Sequence, residues 1–182
     1  MRVRHADPER DGAACAAIYA PAVLEGVASF EERAPSPAEM AERIATTSAG
    51  WPWLVAEREG ALAGYAYGSR HRTRSAYRWA ADVTVYVDAA HRRRGVARAL
   101  YVALLELLAA QGFHCACAGI ALPNPGSVGL HEALGFVPVG VYREIGFKFG
   151  RWWDVGWWQK ALPAGDAPTP PAEPRPPGRL PG

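Results

Sequence analysis

The chain has few cysteines, few lysines, almost no net charge and no long apolar run, and each shortage narrows what it can be. Its three cysteines, Cys15, Cys115 and Cys117, are odd in number and show no C-x-x-C spacing, so neither a disulfide framework nor a zinc site is indicated and no metal is expected. Cys115 and Cys117 stand two apart in a strand-like run, share one face and read as ordinary buried side chains. A membrane-spanning helix needs about 18 or more consecutive apolar residues. None occurs, and the opening "MRVRHADPERDG" has no apolar segment of signal-peptide length. A reducing cytoplasm is the expected location. The 20 basic residues face 18 acidic ones, a net charge of +2, too little for the global field of a dedicated nucleic-acid module. Only Lys148 and Lys160 among the basic side chains are lysine, so arginine is the background and a cluster of arginines weighs less than it would elsewhere.

What remains is 182 residues, enough for one soluble domain that removes roughly two-thirds of its surface from water without staples. Elements alternate along it. "RVRHA" reads as a short strand. Asp7-Pro8 is an N-cap followed by proline at the first helical position, opening a helix expected to break or kink near Pro21. "SPAE", Ser36 to Glu39, is a capping box for a second helix to about Ser48. Glu59-Gly60 between two strand-like runs signals a hairpin. Trp79 to Val87 reads as a long strand, Gly95 to Gln111 as a helix stopped by Gly112, and 113 to 122 as another strand. A short helix capped by Asn124 or Ser127 follows, then two strands, about Val137 to Phe147 and Trp152 to Leu162, joined near Gly150. The last 20 residues, 163–182, hold 8 of the 16 prolines and almost no large apolar side chain. That is the composition of a disordered tail behind a domain of residues 1–162.

The run "HRRRGVARAL", His91 to Leu100, lies between a strand and a helix. A helix N-terminus presents free backbone N–H groups and about half a positive charge, which binds phosphate without any particular side chain. Gly95 and Ala97 are small enough to let an anion approach that backbone. Read alone, the run is equally a solvated basic surface.

The order strand, R-x-x-G-x-A, helix, strand, Asn124-x-x-Ser127, "LHEALGF" resembles the GNAT family of acetyl-coenzyme A dependent N-acetyltransferases. More narrowly, "WAADVTVYVDAAHRRRGVARALY", "AQGF", "IALPNPGSVGLHEALGFVPVG" and "GFKFGRWWDVGWWQ" look like its phosphinothricin and methionine sulfoximine/sulfone acetyltransferase branch, over roughly Arg2 to Leu162. The resemblance implies an α/β fold with a mixed, mostly antiparallel sheet of about seven strands, flanked by about four helices and splayed between the fourth and fifth strands. It implies acetyl-CoA as cosubstrate, with its pyrophosphate on the loop matching Arg92, Arg93, Arg94, Gly95, Val96, Ala97 and Arg98. The pantetheine would pair with the strand end matching Val85, Tyr86 and Val87, and Asn124 and Ser127 would contact the cofactor beyond the next strand.

Acetyl transfer to an amine needs a base for the ammonium proton and a proton for the departing thiolate. By the same resemblance Asp82 matches the carboxylate proposed as base. That residue is usually Glu in the family, so the shorter Asp favours a bridging water. The plainer reading pairs Asp82 with Arg70, Arg72 or Arg74. His131, where many relatives place a tyrosine, is the candidate acid, with Tyr142 second; a packing histidine is the alternative. Arg72, Arg74 and Tyr77 would surround an anionic or tetrahedral group on a small amino-acid-like acceptor, since the arginine fork donates two parallel hydrogen bonds, and Phe30 would line the same pocket. The aromatic run Phe147, Phe149, Trp152, Trp153, Trp157 and Trp158 is too much apolar surface for one exposed hairpin and suggests a homodimer. Two other functions compete: acetylation of a protein N-terminus, which needs an open groove beside the Ala28 to Pro35 connection, and a non-catalytic domain that binds nucleic acid.

Overall fold

The computed structural model describes residues 1–162, 171–178 and 180. Its strands are β1 (Arg2–His5), β2 (Trp53–Arg58), β3 (Ala61–Arg70), β4 (Ala80–Val87), β5 (Cys115–Leu122), β6 (Val137–Lys148) and β7 (Arg151–Ala161); its helices are α1 (Pro8–Leu24), α2 (Pro37–Ser48), α3 (Val96–Gln111) and α4 (Pro125–Ala133). The strands form one sheet in the order β1-β2-β3-β4-β5-β7-β6. Every neighbouring pair is antiparallel except β4 and β5.

Local chemistry sets the boundaries. Asp7 caps α1 by accepting from the N–H groups of Glu9 and Arg10 at 3.0 Å each. The helix continues through Pro21 to Leu24 and does not break there; so near the end, a missing N–H costs only one helical bond. At α2 the reciprocal box is complete, Glu39 N donating to Ser36 Oγ at 3.2 Å and Ser36 N to Glu39 Oε2 at 2.7 Å. The β2–β3 turn uses Glu59 and Gly60, both at positive φ, as a two-residue hairpin of the favoured twist requires.

Both faces of the sheet are covered. Along β2 the side chains alternate between two cores: Leu54 and Ala56 pack with Leu100, Leu104 and Leu108 of α3, while Trp53 and Val55 pack with Cys15 and Tyr19 of α1 and Ile44 of α2. A Cβ at Gly64 would meet Tyr86 O at 2.8 Å and Val96 Cγ1 at 3.1 Å, so glycine lets the start of α3 sit directly on the sheet. Among the described residues, no helix is long and apolar enough to cross a membrane.

In the Pro-rich segment, residues 163–170, 179, 181 and 182 lie outside the described residues. The described part runs back over α3. Arg175 N donates to Gln111 O at 2.8 Å, Gln111 Nε2 to Arg175 O at 2.6 Å, and Trp79 Nε1 to Ala172 O at 2.8 Å. Backbone groups, the Trp79 indole N–H and the buried Gln111 make these contacts, polar partners that apolar composition does not register.

Candidate active site

Parallel pairing between β4 and β5 lasts only three rungs, Ala80 with Cys115, Ala81 with Ala116 and Asp82 with Cys117. Beyond them the strands diverge. β4 keeps its pairing with β3 as far as Val87, so the other edge of 83–87 is left without a strand, as an added extended ligand requires. A cleft of about 980 Å³ fills the divergence, walled by Val83 to Val87 on one side and Ala118 to Ala121 on the other. Glu25 to Ala28 close it from the α1–α2 connection, and Tyr101, Asn124, Ser127 and His131 also line it.

One end of the cleft is the N-terminus of α3. Gly95 occupies its cap position at φ 80, with no side-chain cap and open space where a Cβ would stand. The first-turn N–H groups therefore face the cleft, and Arg92, Arg93, Gly95, Val96, Ala97 and Arg98 border it; Arg94 does not. Asn124 caps α4 by accepting from Ser127 N at 3.1 Å, which holds both residues at the rim.

Asp82 occupies the vertex where the strands part. Its partner is none of the three arginines considered from sequence but His71, immediately after β3, whose Nδ1 lies 2.7 Å from Asp82 Oδ1. Burial pushes the Asp82 carboxyl above the usual carboxylate range, and the His71 hydrogen bond and the Arg72 charge pull it partly back. Around this pair lie rings: His71 meets Tyr77 at 6.1 Å and Trp157 at 5.8 Å, both edge-on. The Arg72 guanidinium is 5.6 Å from the centre of Trp157, and Tyr142 is 5.8 Å from it. Trp157 Nε1 is buried without a hydrogen-bond partner among the described residues.

The structure thus brings Asp82, Arg72, Tyr77 and Tyr142 together around His71 and Trp157. Arg74 is exposed at the start of a short 3-10 turn. Phe30 lies against β6, where a Cβ on Gly146 would overlap its ring, and it does not line the cleft. His131 is buried, with Nδ1 2.7 Å from Ser127 O and Nε2 3.2 Å from Tyr101 Oη. The carbonyl takes the Nδ1 proton, so the neutral ring accepts from Tyr101, and burial lowers its pKa.

Sequence reading missed four contributors. His71 sits inside the run "SRHRTRSAYRW", hidden by its arginine neighbours. Trp157 was taken for interface surface. Tyr101 was not singled out within the Gly95 to Gln111 helix. Lys148, one of two lysines, buries its ammonium on the carbonyls of Val23, Gly26 and Ser29 at 2.6, 3.0 and 2.7 Å, tying the α1–α2 connection to β6; desolvation lowers its pKa.

Two strands that part around a slot, with an uncapped helix N-terminus at one end and a half-buried carboxylate at the vertex, define an acyl-transfer enzyme that works on a phosphate-bearing donor. The chain matches the acetyltransferase (GNAT) domain over residues 6–157. It is 43% identical over 148 residues to a phosphinothricin N-acetyltransferase of Streptomyces viridochromogenes, covering 81% of this chain and 79% of that one. It is 35% identical over 172 residues to an L-methionine sulfoximine/L-methionine sulfone acetyltransferase of Salmonella typhimurium, covering 92% and 98%. Its fold overlays a phosphinothricin acetyltransferase of Sinorhizobium meliloti, solved with acetyl-CoA, at a TM-score of 0.86 with 40% identity, covering 91% and 90%. The chain belongs to the GNAT acetyltransferase family.

Proposed function

We propose that this enzyme moves the acetyl group of acetyl-CoA to the α-amine of a small amino acid carrying a second anionic or tetrahedral polar group, of the phosphinothricin, methionine sulfoximine or methionine sulfone type. The observation that carries the reading is the slot between β4 and β5, which starts at Asp82 and ends on the free N–H groups of α3.

Acetyl-CoA supplies the activated thioester. The chain's own residues do the rest. Backbone amides of Gly95 to Arg98 hold the pyrophosphate, and the unpaired edge of Val85 to Val87 takes the extended arm. Asp82 accepts the ammonium proton through one water, since its side chain is a methylene shorter than the usual Glu. The burial that raises its pKa makes it a stronger base than a solvated carboxylate. His71 is a positioning residue that fixes the carboxylate by its 2.7 Å bond. Arg72 and Tyr77 supply donors to the acceptor's second polar group. His131, as a neutral acceptor toward Tyr101, shapes the cleft wall; the thiolate draws its proton from solvent or Tyr142.

An anchored α1–α2 connection favours a small acceptor over a protein N-terminus. Lys148 and the Phe30–Gly146 contact pin the α1–α2 connection, and Glu25 to Ala28 wall the cleft. A cytoplasmic homodimer fits the reading: Val137, Val139, Tyr142, Ile145, Phe147, Phe149 and Trp152 are exposed on the β6–β7 hairpin. A thiol-release screen with acetyl-CoA over methionine sulfoximine, methionine sulfone, phosphinothricin, free amino acids, polyamines and N-terminal peptides tests it. Turnover on the first three supports it. Preference for peptides, or salt-dependent DNA binding without coenzyme A affinity, would replace it.

A further inference from the structure

We propose that His71, Asp82 and Cys117 form a site for a thiophilic divalent cation of the Zn²⁺ type, and that filling it blocks acetyl transfer by occupying the Asp82 carboxylate. The ligand atoms of these three side chains all lie within 4.8 Å of one another. They converge because three strands deliver them: Asp82 pairs with Cys117 across β4 and β5, and His71 follows directly on β3, whose Ser69 pairs with Asp82 from the other side.

One nitrogen, one carboxylate oxygen and one sulfur make a donor set that suits Zn²⁺, which takes ligands at about 2.0–2.3 Å in a tetrahedron. A tetrahedral ion of that size holds its ligands roughly 3.5 Å apart, so separations of up to 4.8 Å need close by roughly 1.3 Å at most, while the 2.7 Å His71–Asp82 pair opens slightly. With three protein ligands the fourth position stays open, and this distinguishes an exchangeable site from a closed structural one.

A soft cation displaces the proton of the thiol it binds and draws the charge onto that sulfur. On binding, the thiol proton passes to solvent, and the His71–Asp82 hydrogen bond gives way to two bonds to the ion. Hard cations gain little from nitrogen and sulfur, so Mg²⁺ is not a ligand for this site.

Only the inhibitory half rests on the reading of Asp82 as base, and the test separates the two. Co²⁺ titrated into the purified protein should produce a thiolate-to-cobalt charge-transfer band at one ion per chain, which Zn²⁺ displaces and Mg²⁺ does not. The band should vanish in Cys117→Ser and weaken in His71→Gln. Zn²⁺ should inhibit acetyl transfer in the wild type, with the half-inhibiting concentration raised tenfold or more in Cys117→Ser. No band in the wild type, or a band that survives Cys117→Ser and disappears in Cys115→Ser or Cys15→Ser, overturns the site. A band without inhibition overturns the blocking of Asp82 and leaves the site.

Discussion

Lys148 Nζ donates to the Ser29 carbonyl at 2.7 Å across 119 positions of the chain. The bond joins the β6–β7 hairpin to the connection that walls the cleft. Lys148→Met keeps the length of the side chain and removes all three of its bonds, costing about 1–3 kcal/mol for each carbonyl that finds no water. The melting temperature should fall and KM for the acceptor should rise more than kcat changes. An unaltered melting curve would show that the connection holds itself.

In the proposed mechanism Asp82 and His71 act as a unit in which only Asp82 handles the proton. Asp82→Asn should lower kcat by roughly 10²-fold or more with coenzyme A affinity unchanged, and Asp82→Glu should stay active because it restores the longer reach. The stability effect runs the other way. Burial raises the folded-state pKa of Asp82, so its contribution to stability is present at low pH and declines as pH rises through that folded value. At pH 7 to 8 Asp82→Asn should therefore melt higher than wild type. A variant that melts lower and keeps its turnover would make Asp82 a structural partner of His71.

Coenzyme A binding should depend on the α3 N-terminus more than on arginine side chains. Gly95→Val places a branched side chain at φ 80 and should weaken binding severely. Arg93→Ala, at an exposed position, should cost about fivefold or less. Equal losses by calorimetric titration would transfer the role to the side chains.

His131→Ala leaves Tyr101 Oη and the Ser127 carbonyl without their partner and should destabilise the fold by about 1–3 kcal/mol. The basic limb of the pH–kcat profile should keep its position. A loss of roughly 10²-fold in kcat at full folding would instead identify His131 as the acid.

Truncation after Pro163 should leave turnover unchanged, because no described residue of the Pro-rich segment lines the cleft. Losing the partners of Gln111 and Trp79 should lower the melting point by a few degrees, as about 1 kcal/mol does in a domain of this size. Lost turnover would mean that the segment reaches the acceptor.

Sequence alone determined what local chemistry controls. Caps at Asp7 and Ser36, the Glu59-Gly60 turn and the stop at Gly112 each act within a few residues, so they were readable and the structure has them. The glycine-led start of α3 at Gly95 was readable for the same reason, since a helix start with glycine is a local pattern. Pro21 misled because a proline's cost depends on how much helix lies beyond it. Tertiary structure alone decided which partner Asp82 takes. His71 reaches it by the register of β3 on β4, and Cys117 by the register of β4 on β5, neither of which leaves a spacing in the chain. Lys148 was invisible for the same reason: its three carbonyls belong to the end of α1 and the connection after it, more than a hundred residues away, and only packing the hairpin onto them brings them within hydrogen-bond reach.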